Sequence, residues 1–138
     1  MKDLTPVLSM NDRNRSRIRI IIYILIIAGV VIHSKTAFVE SSEVDLTSIY
    51  LLIWSVIPYI LIFIFRKSLY GSLCAAIIVF IFDLWVHLQV FVFPKSSTAA
   101  IDLLIVPLWN LILVIPLSYL IGLMIEKGIE KKKKVSKS

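Results

Sequence analysis

Cysteine is almost missing from this chain: Cys74 stands alone, which excludes an internal disulfide, a cysteine zinc cluster and a dithiol redox centre. Histidine is nearly as scarce. With only His33 and His87, the supply of ligands is poor, so no metal and no cofactor is expected. The sequence also lacks a His-Glu-x-x-His helix, a Gly-x-Ser-x-Gly turn and a phosphate loop. No nucleophile stands beside a base, so an enzyme is not expected. Residues 1–12, which include Asp3, Pro6, Asn11 and Asp12, have no apolar stretch of the kind that drives secretion. The run from Ile18 imitates one, being preceded by arginines and containing the small residues Ala28 and Gly29. Its removal would leave three spans and put one terminus outside, so an uncleaved anchor is expected.

What the chain does have is apolar side chain, 59% of its 138 residues, more than one soluble core of that size can hide. Four runs, at about 18–39, 46–65, 69–93 and 99–125, approach or exceed the roughly 20 residues a spanning helix needs. The first has a dense core, Ile20 to Ile32, that is short on its own. Arg17 and Arg19 are therefore expected to snorkel to head groups at one end, with His33 to Phe38 in the opposite interface. Arg66 and Lys67 end the second run, and the short turn there makes spans two and three antiparallel neighbours. Pro94 to Thr98 stops the third and offers N-caps to the fourth, with Asp102 in its first turn. Isoleucine and valine are abundant, yet runs of this length without period-two alternation argue for helices over barrel strands. The expected fold is all-α: a polytopic membrane protein of four transmembrane helices in two hairpins, between a basic tail (1–17) and a polybasic one (126–138).

Orientation follows from the basic residues. Thirteen Lys and Arg fall in the two tails and the middle turn, against Lys35 and Lys95 alone in the outer loops. By the positive-inside rule, the N-terminus and C-terminus are both cytoplasmic. The net charge of +6 would suit nucleic acid in a soluble protein, but these charges flank apolar runs, so anionic head groups of the lipid bilayer are the expected partner and no specific nucleic acid is. Arg13, Arg15, Arg17, Arg19, Arg66, Lys67, Lys131, Lys132, Lys133 and Lys134 are the expected contacts. The C-terminal run also has a second reading, docking of an acidic cytoplasmic partner.

Polar residues inside the spans carry what chemistry there is. Asp83 and His87 are four apart and stack on one face of the third helix. Asn110 on the fourth lies at a similar depth, giving a candidate intramembrane site of Asp83, His87 and Asn110. Two readings apply: hydrogen bonds that fix helix register around a neutral Asp83, or a site for a proton or small cation. Pro58, Pro107 and Pro116 each remove an internal hydrogen bond and are candidate kinks. Trp54, Trp85 and Trp109 read as packing residues. Asp45-Leu46 with Val56-Ile57-Pro58, against Asp102-Leu103 with Val114-Ile115-Pro116, is a faint echo that either duplication or chance would produce.

The segment Phe93-Pro94-Lys95-Ser96-Ser97-Thr98-Ala99-Ala100, followed by Ile105-Val106-Pro107-Leu108-Trp109-Asn110, resembles a pattern in small four-helix bacterial inner-membrane proteins. The resemblance covers the second hairpin and implies a bacterial cytoplasmic membrane but no catalytic residue. The expected function is a non-enzymatic accessory, regulatory or immunity-type module working through helix contacts with its own copies or a partner protein. The alternative is an oligomeric proton or cation channel, transporter or membrane-disrupting effector using Asp83 and His87.

Overall fold

The computed structural model describes residues 5–39, 45–65, 67–93 and 99–135. The connector 94–98, Arg66, Glu40 and Glu43 lie outside them, as do the side chains of Asp102, Lys132, Lys133 and Lys134. All described elements are helical: α1 (Thr5–Phe38), α2 (Leu46–Ile64), α3 (Leu69–His87) with a π-helical continuation Leu88–Val92, α4 (Ala99–Trp109), a π-helical turn Asn110–Val114, and α5 (Ile115–Val135). Four helical stretches are long and apolar enough to cross a membrane: Asp12–Phe38, Leu46–Ile64, Leu69–Val92 and Leu104–Lys131.

Local chemistry sets several boundaries. Asp45 caps α2 by accepting the Ser48 N–H at 3.0 Å, and this bond, ahead of the others it makes, holds its carboxyl below the ordinary 3.8. Ser68 caps α3 in the same way, accepting from Gly71 N–H at 3.0 Å. The first helix ends where the run 18–39 puts it, at Phe38, but differs from expectation at its start. It begins near Thr5, so the basic segment 5–17 is helical and Arg13, Arg15, Arg17 and Arg19 lie along one continuous rod. At the other end the helix runs through His33 to Phe38, and His33 turns inward. The arginines add helix below the short apolar core.

Each helix turns a narrow seam of small or polar residues inward. On α2 it is Ser48, Ser55, Pro58, Tyr59 and Ile62, on α3 Ser72, Ala75, Ala76, Val79, Asp83 and Val86. Between apolar helices in lipid the hydrophobic effect gives no net attraction, so close packing and interhelical hydrogen bonds must hold the bundle together. Gly122 supplies the closest approach: a Cβ there would run into the backbone of Tyr70 and Gly71, so α5 lies directly on α3. Gly29 does the same for α1, since a side chain would strike the Tyr59 ring. Outward faces are apolar, with Ile24, Ile27, Val31, Leu120 and Met124 among the exposed side chains, as lipid requires.

The prolines are accommodated inside the helices. Pro58 is buried within α2, Pro107 is buried within α4, and Pro116 is the second residue of α5. Between the last two, the Ile115 N–H reaches back five residues to the Asn110 carbonyl, the π turn. That extra residue has a register consequence. It brings Asn110 and Ile115 to the same inward face, after which Ser118 and Gly122 follow at helical spacing. Trp54 donates its indole N–H to the Leu104 carbonyl at 3.0 Å, joining α2 to α4. Trp85 and Trp109 do not pack inside: both are more than half exposed, Trp85 because two residues along α3 turn it away from Asp83.

Candidate functional site: a buried carboxylate joining four segments

Asp83 stands at the meeting point of the described helices and is 4% exposed. Its Oδ2 accepts from the Tyr59 hydroxyl of α2 at 2.7 Å and lies 3.0 Å from His33 Nε2 of α1. Its Oδ1 accepts from the Asn110 side-chain NH2 at 2.7 Å. Tyr59 and Asn110 are fully buried. Tyr59 and Asn110 donate to the carboxyl group, while in the His33 contact the ring tautomer decides which partner donates. The pair is a salt bridge when the ring carries both protons.

One helical turn further along α3, His87 Nδ1 lies 3.1 Å from the Thr36 hydroxyl. Thr36 donates its single proton to the Ile32 carbonyl at 3.1 Å. The Thr36 hydroxyl thus lies between the Ile32 carbonyl and the His87 ring, and the tautomer of that ring sets which of the two donates in their contact. Asp83, His87, His33, Thr36 and Ser55 border a cavity of ≈ 10 Å³, about the space of one water. The Asn110 carbonyl oxygen is buried with no partner among the described residues.

The sequence brings Asp83, His87 and Asn110 into consideration, and the structure sets Asn110 on Asp83 and His87 beside the same cavity. It adds two residues that sequence reasoning missed. Tyr59 carries no charge and sits in an apolar run, so it stands out only through the inward stripe it shares with Ser48 and Ser55. His33 was assigned to the interface by its distance from the dense apolar core. Its spacing of four from both Gly29 and Ala37, which are buried, is the signal that it faces inward.

A second polar contact lies toward the other end of the bundle. Ser68 donates its hydroxyl to the Glu126 carboxylate and its N–H to the Tyr119 hydroxyl at 3.2 Å, pinning the start of α3 to α5. Glu126 belongs to a segment that charge alone marks as tail. Among the described residues, no group of three or more His, Cys, Asp or Glu is placed to hold a metal. The cavity beside Asp83 has no space for a substrate larger than water. No protein family, curated protein or solved structure matches this chain.

Proposed function

We propose that the chain is a non-enzymatic module of the bacterial cytoplasmic membrane, crossing it four times as two hairpins with both termini inside, and acting as an accessory, regulatory or immunity-type protein through helix contacts. The observation that carries this reading is the Asp83 carboxylate, whose bonds all go to other helices, so the polar chemistry of the chain serves to clasp the bundle. Support for the hairpins comes from contact order: Tyr23 meets Phe63 while Gly29 meets Tyr59, and Ser68 meets Glu126 while Asp83 meets Asn110. The thirteen-to-two distribution of Lys and Arg supports the orientation. Exposed apolar faces on α1 and α5 are the surfaces left for a second copy or a partner.

In-membrane photo-crosslinking tests it, with a photoreactive residue placed at Ile27 or at Met124. A discrete adduct to polypeptide, either a second copy or a partner, is the expected outcome. Lipid adducts alone at both positions would overturn the proposal. A second reading, an assembly that conducts protons or small cations, is favoured by the water-sized cavity beside Asp83 and by the unpartnered Asn110 oxygen. It requires vesicles containing the protein to leak, with Asp83→Asn abolishing the leak.

A further inference from the structure

A cleft opens between α1, α2 and α3 at the end of the bundle where the basic residues gather. Its volume is ≈ 270 Å³, and its lining is Arg19, Ile22, Tyr23, Ile62, Phe63, Leu69 and Ser72, just under the usual range for small-ligand pockets. Ile22, Ile62 and Ser72 form its buried floor, 6% exposed or less. Tyr23 and Phe63, with ring centroids 6.2 Å apart, stand half exposed at its side.

Arg19 is the one charged group of the lining, and among the described residues no ion pair engages it. Its neighbours one turn away along α1 are Arg15, Ser16, Ile22 and Tyr23, so no carboxylate on its own helix neutralises it. Arg15 and Arg19, four apart on one face, repel each other unless an anion lies between them. Arg19 is also the last charge before the apolar run of α1, and Lys67 stands just before Leu69. This sets a guanidinium at head-group level above an apolar, aromatic-sided cleft.

We propose that this cleft is a binding site for one anionic phospholipid, its phosphate held by Arg19 and its acyl chain laid against Tyr23, Phe63 and Ile62. A free phosphate would match Arg19 but not the apolar lining. A zwitterionic lipid would match the lining but leave the paired arginines without compensation. The inference rests on the membrane reading above, and recovery of the protein in the membrane fraction tests that reading separately from lipid retention.

The full chain is extracted from vesicles of phosphatidylglycerol or of phosphatidylcholine and its retained lipid is counted by native mass spectrometry. Work at about 1 M salt removes loose surface attraction, since screening there acts within about 3 Å. The expected result is one retained phosphatidylglycerol per chain and little phosphatidylcholine. Arg19→Gln lowers that retention about tenfold or more, the ratio carried by one charge-assisted hydrogen bond, whereas Lys35→Gln, in the last turn of the same helix, leaves it unchanged. Equal retention of both lipids, equal losses in the two variants, or displacement of the lipid by inorganic phosphate would each overturn the proposal.

Discussion

Replacing Asp83 separates a clasp from a passenger. Asp83→Leu keeps similar bulk but removes both oxygens, leaving the Tyr59 hydroxyl, the His33 Nε2 and the Asn110 amide, now at 2.7, 3.0 and 2.7 Å from the carboxylate, without that partner. Interhelical hydrogen bonds in membrane bundles average about 0.6 kcal/mol and reach about 1.7, so three of them together amount to about 2–5 kcal/mol. Replacing a whole buried ion pair by apolar groups is often neutral, but removing one partner strands the others and destabilises. Asp83→Asn is milder. Its carbonyl oxygen still accepts from Tyr59 and meets the His33 ring, and its NH2 faces Asn110, whose amide flips to accept. Only the charge assistance is lost, about 1 kcal/mol. The measurement is unfolding in mixed micelles with rising denaturing detergent, followed by the fluorescence of Trp54, Trp85 and Trp109. The order of stability expected is wild type, then Asp83→Asn, then Asp83→Leu. A leucine variant as stable as wild type would refute the reasoning, as would an asparagine variant as unstable as leucine.

Gly122→Ala drives a methyl into the Tyr70–Gly71 backbone and is expected to cost about 1–3 kcal/mol of the kind seen on overpacking, read in the same unfolding assay. Gly128→Ala meets nothing within 4 Å and is expected to stabilise α5 by up to about 1 kcal/mol through helix propensity, visible as a higher midpoint. Asp45 has its carboxyl lowered below 3.8 by the Ser48 N–H first of all, so its cap contributes fully above that value and is lost as pH falls through the lowered one. Melting curves from neutral to acid pH are expected to show this loss in wild type and not in Asp45→Asn. Tyr59→Phe removes one donor and is expected to cost about 0.6–1.7 kcal/mol, with little further effect in the Asp83→Leu background when the two are combined in a double-mutant cycle.

Much of the fold is legible in the sequence because membrane helices announce themselves by length and apolarity alone. The boundaries of α2, and of α3 taken with its π-helical continuation, fall within a residue or two of the apolar runs, marked by Asp45, Ser68 and the basic turn. The start of α1 is not, because a helix of Arg and polar residues outside an apolar run leaves no composition signal; its four arginines instead read as tail. The Asp83–Asn110 contact is legible because charge and amide are rare in such runs and helix rise fixes their depth. Tyr59 and His33 were hidden for opposite reasons. A tyrosine among apolar residues looks like packing, while a histidine near a span end looks like an interface. What places both is interhelical register, set by small residues such as Gly29 and Gly122 and by the π turn at Asn110–Val114, neither of which can be read from one helix at a time. Glu126 likewise falls in a basic segment, although its carboxylate accepts from Ser68 at the start of α3.

If Asp83 clasps the bundle and conducts nothing, as we propose, vesicles reconstituted with the wild-type chain stay closed to protons. Proton flux under an imposed pH gradient, followed by a pH-sensitive dye inside, is expected to match that of protein-free vesicles for wild type and Asp83→Asn alike, while the unfolding midpoint of the variant falls. A leak carried by the wild type and abolished by Asp83→Asn would contradict it.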